Sequence, residues 1–460
     1  MQSVIDDIKK YNTIHFIGIG GVSMSGIAET LKNLGVHVTG SDMSKSEITD
    51  RLISDGIEVT IGSDLEKIRN ADLIVYTAAI SKDDPELIEA KKLNKHTCER
   101  AVFLGKLTKA FKDTIGISGT HGKTTTTSLV ALCFIHAGFD PNVQVGAILK
   151  QLDGNYRIGN SDYLILEACE YVESFLHFHP KAEIILNIDN DHLDYFKNTD
   201  NIKKAFIKYV KLLPNDGLLV YNLDDKNSQD LHKYTKAKVV TFALENGNAN
   251  FTAKNIKFDN NGFATFVVYH DGIFFDTFSL CISGMHNVLN ALSCIALSHS
   301  YGITNEAIKA AFSSFTGANR RLEYKGSFNN IRVFDDYAHH PTEIRATAAA
   351  LNRKIFNESW VVFQPHTFSR LQNHLDDFAD SLLDFDHIVL TDVYAAREKD
   401  IFNISSQDLA DKIKSLGKPV LYIHDFDSIV KFLKSNVHEN DIILTLGAGT
   451  VTNIGPMILK

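Results

Sequence analysis

The sequence has one tryptophan, eight prolines and five cysteines among its 460 residues, and no apolar run approaching the roughly eighteen residues that a membrane span needs. The N-terminal stretch MQSVIDDIKKYN carries acidic residues and lacks an apolar core of the signal-peptide kind, so neither export nor membrane insertion is expected. Cys98, Cys133, Cys169, Cys281 and Cys294 show no CxxC spacing and no even framework, which predicts reduced thiols in the cytoplasm. Basic excess is absent too. The formal net charge of -9 argues against nucleic acid or a membrane surface as partner, because neither polyanion would be drawn by the overall field. Anionic ligands must then be held by local groups. Low-complexity tracts are also missing, and a chain of 460 residues exceeds the roughly 250–300 at which single cores stop growing, so several globular domains are expected.

Three segments carry distinct patterns. From Thr13, short apolar runs alternate with glycine turns and helix-like stretches (IHFIGIGG, MSGIAETLKNLG, VHVTGSD, ADLIVYTAAI), as a parallel helix-covered sheet requires. The rhythm repeats near residue 108 with KDTIGISG, TTTTSLVALCFIHAG, DYLILEACE and AEIILNID. Between about 236 and 282, KVVTFAL, NGFATFVVYH and IFFDTFSLCI read as antiparallel strands with turns at Asn261-Gly262 and Asp271-Gly272. After Gly317 the parallel pattern resumes. The expected division is 1–107, 108–317 and 318–460, each α/β, with hinges near 107 and 317.

The segment TIGISGTHGKTTTTSLV sets a glycine turn between an apolar strand and a helix, where backbone N–H groups and the positive helix end converge on phosphate. The strict G-x-x-x-x-G-K-[ST] spacing fails by one residue, since Ile117 stands where the first glycine belongs. Gly119-Thr120-His121-Gly122-Lys123-Thr124 nevertheless keeps two glycines, a lysine for the β- and γ-phosphates and a hydroxyl for Mg²⁺, with Thr125 a further phosphate candidate. An earlier loop, Gly18-Ile-Gly20-Gly21-Val-Ser23-Met24-Ser25-Gly26, follows the first strand, and Asp42 ends the next, as in a dinucleotide fold. Its third fingerprint glycine would fall at Ser23, so a nicotinamide or flavin reading is weak. A third cluster gathers Glu167, Glu170, Glu173, Asp189, Asp191, His192 and Asp194 beyond two strand ends, a setting for a divalent cation.

The GTHGKT form resembles the ATP loop of the muramyl (Mur) ligases, and further motifs in family order extend the resemblance from about residue 13 to 452: HFIGIGGVSMSG, EACEYVESF, DNDHLDYF, GMHNVLNALS, GANRRLEYKG, DDYAHHPTEI, FQPHTFSR and VYAAREKDI. The resemblance implies a three-domain α/β ligase: an N-terminal Rossmann-like UDP-sugar domain, a central P-loop-type ATPase domain with an added antiparallel section, and a C-terminal Rossmann-like domain. It implies that Gly18, Gly20, Gly21, Ser23, Met24, Ser25 and Asp42, with Ser81 and Arg100, contact the UDP-sugar. It assigns Thr124, Glu167 and His192 to the metal, leaves His177 and His179 structural, and places His286, Asn287 and Asn290 at the adenine. Arg320 and Asp336 are implied for ATP, and Arg321 for a catalytic reach across the cleft. Tyr337, His339, Arg370 and Arg397 are implied for the amino acid, and His339 or His340 for taking the amine's proton.

The family's carbamylated lysine, found in several branches, falls near Ile207 here, with Lys204 and Lys208 off register, which fits the alanine-adding branch. The expected cofactors are ATP and Mg²⁺, the expected substrates UDP-N-acetylmuramate and L-alanine, and the expected setting peptidoglycan precursor synthesis. Two alternatives stand beside this: a ligase attaching a recycled tripeptide to the same UDP-sugar, whose first loop differs from IGIGGVSMSG, and a non-catalytic nucleotide-binding regulator, which need not keep the acidic site.

Overall fold

A computed structural model describes residue 8 and residues 10–77, 80–81, 83–396 and 398–460. The chain divides into two compact units: Met1–Thr252 with Tyr269–Ile273 and Asn290–Ala311, and Ala253–Val268 with Phe274–Leu289 and Phe312–Lys460.

The first unit opens with five parallel strands, β1 (Thr13–Ile17), β2 (His37–Asp42), β3 (Glu58–Ile61), β4 (Leu73–Tyr76) and β5 (His96–Glu99), in the order β3-β2-β1-β4-β5. The order reverses beside β1, and there the chain leaves β1 through Gly18–Gly21 into helix α1 (Val22–Asn33). Ligands of open α/β sheets bind at such switch points. Helix α2 (Arg100–Thr108) follows β5 and leads towards the second sheet.

That sheet sets β6 (Asp113–Ser118), β7 (Asn142–Leu149), β8 (Gly154–Arg157), β9 (Tyr163–Glu167), β10 (Ala182–Ile185), β11 (Leu218–Asn222) and β12 (Lys238–Ala243) in the order β12-β11-β10-β6-β9-β7-β8. Its strands are parallel apart from β8, which returns antiparallel on β7. Helix α3 (Lys123–His136) leaves the end of β6 with Thr124 through Phe134 all buried, the pattern of a helix covered on every side. KVVTFAL, expected in the antiparallel run, pairs in parallel with β11, so the antiparallel section begins later than the sequence suggested.

β13 (Phe251–Phe258) starts on β12 in the first unit and continues into the second, beside β14 (Phe263–His270) and β15 (Ile273–Ser283). Asp271 and Gly272 both take positive φ, 48° and 78°, the requirement of a two-residue hairpin turn. Helix α4 (Met285–Ser300) follows. The last sheet comprises β16 (Glu323–Phe328), β17 (Ile331–Asp336), β18 (Ser359–Phe363), β19 (His387–Leu390), β20 (Val420–Tyr422) and β21 (Ile442–Leu446), ordered β16-β17-β21-β18-β19-β20 with only β16 antiparallel. Its centre is covered on both faces. Val361 and Phe363 enter one core while Trp360 and Val362 enter the other, which is why β18 reads as an unbroken apolar run. Among the described residues no helix is long and apolar enough to cross a membrane.

Candidate active site

The phosphate loop occupies the carboxyl end of β6. Gly119 (φ 136°) passes so close to β10's exit that a Cβ would stand 2.9 Å from Leu186 Cβ, and Gly122 (φ 87°) would place one 2.6 Å from Asn290 Oδ1 on α4. Both glycines are therefore demanded by conformation and by space. Asn187 fixes the loop between them: its Oδ1 accepts from His121 N at 2.8 Å and its Nδ2 donates to His121 O at 3.0 Å. Thr120 Oγ1 accepts from Asp189 N at 2.9 Å, and His121 Nε2 lies 3.1 Å from Asp189 Oδ2.

Lys123 Nζ donates to Thr120 O at 3.0 Å and to both oxygens of Glu170 at 3.0 and 3.2 Å. The Glu170 carboxylate is buried, and with Glu167 it outweighs the cost of desolvation, holding the ammonium well above the usual lysine range. Lys123 is thus charged and aimed at the loop. Sequence reasoning grouped Glu170 with the acids but gave it no role, because nothing in EACEYVES says which glutamate turns back to the lysine.

Glu167 ends β9 and meets the loop from the other side. Its Oε2 accepts from Thr124 Oγ1 at 3.0 Å and from Gly146 N at 2.8 Å, so two of the three expected metal ligands touch. Two oxygen donors, a hydroxyl and a carboxylate, suit a hard cation such as Mg²⁺, and the backbone N–H of Gly146 orients the carboxylate. His192 stands on the loop after β10 in left-handed backbone (φ 53°, ψ 38°), its ring 4.4 Å from that of Tyr171. Asp191 Oδ1 accepts from His192 N at 2.7 Å. Val172 and Glu173 also take positive φ, 48° and 56°, so backbone strain gathers beside these acids, as it does at functional sites. The His179 backbone N donates to Thr108 Oγ1, and the His177 backbone packs against Gly105 of α2.

The first glycine loop is built differently. Gly20 N donates to Asp42 Oδ2 at 2.9 Å, and Gly18 and Ile19 N–H groups both reach Ser41 O. A Cβ at Gly20 would lie 2.8 Å from Asp42 Oδ2 and would displace the carboxylate that its N–H holds. Ser23 Oγ accepts from Arg100 Nη1 at 3.0 Å and from Gln144 Nε2 at 3.0 Å, the latter from β7 and unforeseen in the sequence. Met24 and Ser25, expected at the UDP-sugar, have buried side chains at the start of α1, so their backbone is the part that faces the loop. Ser81 is exposed and accepts from Asp83 N.

In the second unit four loops meet at the carboxyl edge of the last sheet. Asp336 is buried; its oxygens accept from Leu322 N, Ala338 N and Thr347 Oγ1 at 2.8, 2.8 and 3.2 Å, and burial raises its carboxyl to about 6. These bonds shape the DDYAHHP loop from within. Arg320, expected at ATP, donates to Asp335 Oδ2 and to the Gly447 and Gly449 carbonyls, bonds that tie the end of β17 to the loop after β21. Tyr337 lies under the guanidinium groups of Arg320 and Arg321, 4.9 and 5.4 Å from its ring centre.

His339 Nδ1 is 3.0 Å from Tyr337 O and 3.3 Å from Glu343 Oε2; both oxygens accept, so Nδ1 carries a proton. His340 is buried and accepts from Thr342 N through Nδ1 at 3.3 Å, capping helix α5 (Pro341–Leu351). The cap occupies its Nδ1 lone pair. Arg370 Nη1 meets His366 Nδ1 at 3.1 Å, and Glu398 ties the adjoining loop to Ser369. Arg397 lies outside the described residues. On α4, Asn287 Nδ2 donates to Ser283 O at 2.7 Å, and burial with Arg321 nearby lowers His286 to about 4, so its imidazole is neutral at neutral pH.

Family models cover nearly all of this arrangement: "Mur ligase family, catalytic domain" matches residues 13–112, "Mur ligase middle domain" 117–298 and "Mur ligase, glutamate ligase domain" 320–449. The chain belongs to the Mur ligase family. It is 46% identical over 459 residues to the UDP-N-acetylmuramate–L-alanine ligase of Acetivibrio thermocellus, covering 100% of this chain and 98% of that one. Over 455 residues it is 48% identical to the enzyme of the same name from Clostridium acetobutylicum, covering 99% and 98%. The crystal structure of UDP-N-acetylmuramate-alanine ligase from Thermotoga maritima superposes with a TM-score of 0.84 at 30% identity, covering 97% of this chain and 98% of that one.

Proposed function

We propose that this chain joins L-alanine to the lactyl carboxylate of UDP-N-acetylmuramate at the expense of ATP, in the cytoplasmic assembly of peptidoglycan precursors. The observation that carries the reading is the charged Lys123 set beside the touching Thr124–Glu167 pair at the carboxyl end of β6. Full-length relatives bearing the name of that activity favour it. A carboxylate resists amines until it carries a leaving group, and the γ-phosphoryl of ATP supplies one as an acyl phosphate. Lys123 would exchange Glu170 for the β- and γ-phosphates at the N-terminus of α3. Thr124 and Glu167 would hold Mg²⁺, with His192 completing the set; bound there, the cation would neutralise developing phosphate charge.

Asn290, packed on Gly122, and His286 and Asn287 at the start of α4 would receive the adenine, with Thr125 behind the phosphates. The UDP-sugar would lie on Gly18, Gly20, Gly21 and Ser23, steadied by Arg100. In the second unit Arg321 would meet anionic groups of the reacting centre, and Arg370, with Arg397 beside Glu398, would take the alanine carboxylate near Tyr337. The amine must attack neutral, and His339, in the loop after β17, would take its proton.

Phosphate release tests the reading. With ATP, Mg²⁺ and UDP-N-acetylmuramate present, rapid release should require L-alanine, because only an amine drains the acyl phosphate. Release with the L-alanyl-γ-D-glutamyl-diaminopimelate tripeptide and silence with alanine would identify a tripeptide ligase instead, and silence with both a non-catalytic nucleotide binder.

A further inference from the structure

The nucleotide helix α4 begins at Met285, directly after a turn at Ser283-Gly284, and that turn is gripped from the C-terminal domain. Lys354 follows α5 by three residues, and its Nζ donates to Asn261 O at 2.6 Å and to Ser283 Oγ at 2.7 Å. Ser283 Oγ in turn donates to Asn261 O at 3.0 Å, closing a three-membered ring of bonds. The joint is closely fitted. Gly262 takes φ 75°, and a Cβ there would meet Ser283 Oγ at 3.3 Å and Arg353 Cβ at 3.4 Å; a Cβ at Gly284 would meet Ala350 of α5 at 3.1 Å. Arg353 lies 4.0 Å over the ring of Phe258, and Lys354 lies 5.6 Å from the rings of both Phe263 and Phe334. From Ser283 the contact passes on, since its carbonyl accepts from Asn287 Nδ2 at 2.7 Å.

We propose that Lys354 is a positioning residue for ATP: by holding Ser283 and the Asn261-Gly262 turn, it sets the start of α4 and hence His286 and Asn287 against the nucleotide. The inference rests on the adenine role given to that helix above. The partners of Lys354 are a carbonyl and a hydroxyl, not a carboxylate, so the bonds weaken when the ammonium loses its proton. The facing charges are Asp259 on the hairpin, which favours the cation, and Arg332 on β17, which opposes it; burial is the larger effect and brings Lys354 down to about 8. Its folded value lies below the ordinary 10.5, so the grip is complete below about 8 and fades as pH rises through it.

The test is the KM for ATP in Lys354→Met and Lys354→Arg, with Ser283→Ala as a milder variant should Lys354→Met fold poorly and His286→Ala run in parallel. Lys354→Met should raise the KM for ATP roughly five- to tenfold while leaving those for the UDP-sugar and alanine in place. Ser283→Ala should raise it less, and Lys354→Arg should restore it. In the unsubstituted protein the KM for ATP should climb between about pH 7.5 and 9, and in Lys354→Arg it should not. If His286→Ala raises the KM for ATP but Lys354→Met does not, or raises all three alike, the positioning role is overturned and the adenine assignment stands. If neither variant changes it, the assignment of α4 fails as well.

Discussion

The two glycine loops of the first unit follow equivalent strands and open equivalent helices, yet they are fastened by opposite means. Gly18–Gly21 is drawn onto a carboxylate, with Asp42 accepting from Gly20 N and Ser44 N. Gly119–Gly122 is drawn around an ammonium, with Lys123 held by a loop carbonyl and by Glu170. In the first loop the N–H groups of Gly18, Ile19, Gly20 and Gly21 are all taken up, by Ser41 O, Asp42 Oδ2 and Gly18 O, so that turn is closed by its own bonds. In the second, under the proposed function, the Lys123 ammonium would pass from Glu170 to a phosphate that is itself being transferred. The helix N-terminus is common to both, and the charge of the partner, carboxylate against ammonium, is what differs.

Removing the lysine breaks this contrast most severely. Lys123→Ala should lower kcat by at least roughly a hundredfold, since it deletes charge stabilisation at the transferring phosphoryl group. Next, Glu167→Ala or His192→Ala should raise the Mg²⁺ requirement and lower kcat, read from magnesium titrations of each variant; titrations matching the unsubstituted protein would remove that residue from the metal site. On the other loop, Asp42→Ala should raise the KM for the UDP-sugar by about tenfold and leave that for ATP nearly unchanged, because the carboxylate shapes only the first turn. Equal changes in both constants would show that the loops are not independent.

The smallest effect sharpens the comparison without touching turnover. Glu29 on α1 is buried against Arg51, 3.2 Å away, and burial outweighs that pairing to bring its carboxyl from 4.5 to about 7. An acid raised on folding contributes stability that is complete below about 4.5 and is lost as pH rises through about 7. Between those values the denaturant stability of the protein should therefore fall relative to that of Glu29→Gln, by on the order of 2 kcal/mol. Parallel pH profiles for the two would contradict the burial of that charge.

Much of this was legible in the chain. Glycines betray a turn because only they fit it, and Gly119 and Gly122 both take positive φ. Asp271-Gly272 announced its hairpin for the same backbone reason. Facing direction was less legible: Met24 and Ser25 sit within a motif yet turn into the core, and Arg320 beside Arg321 spends its fork on Asp335. Those outcomes depend on which strand lies next door, information that is not local in sequence. Glu170 and Gln144 went unassigned because each acts on a residue far away along the chain, Lys123 and Ser23. KVVTFAL misled because a strand's pattern does not reveal whether its neighbour runs with it or against it.

The division of labour between the loops is tested most directly by calorimetric titration of Lys123→Ala with UDP-N-acetylmuramate and, separately, with ATP and Mg²⁺. The account predicts that the UDP-sugar binds with an affinity close to that of the unsubstituted protein while ATP binding weakens markedly. Loss of UDP-sugar binding together with ATP binding would contradict it.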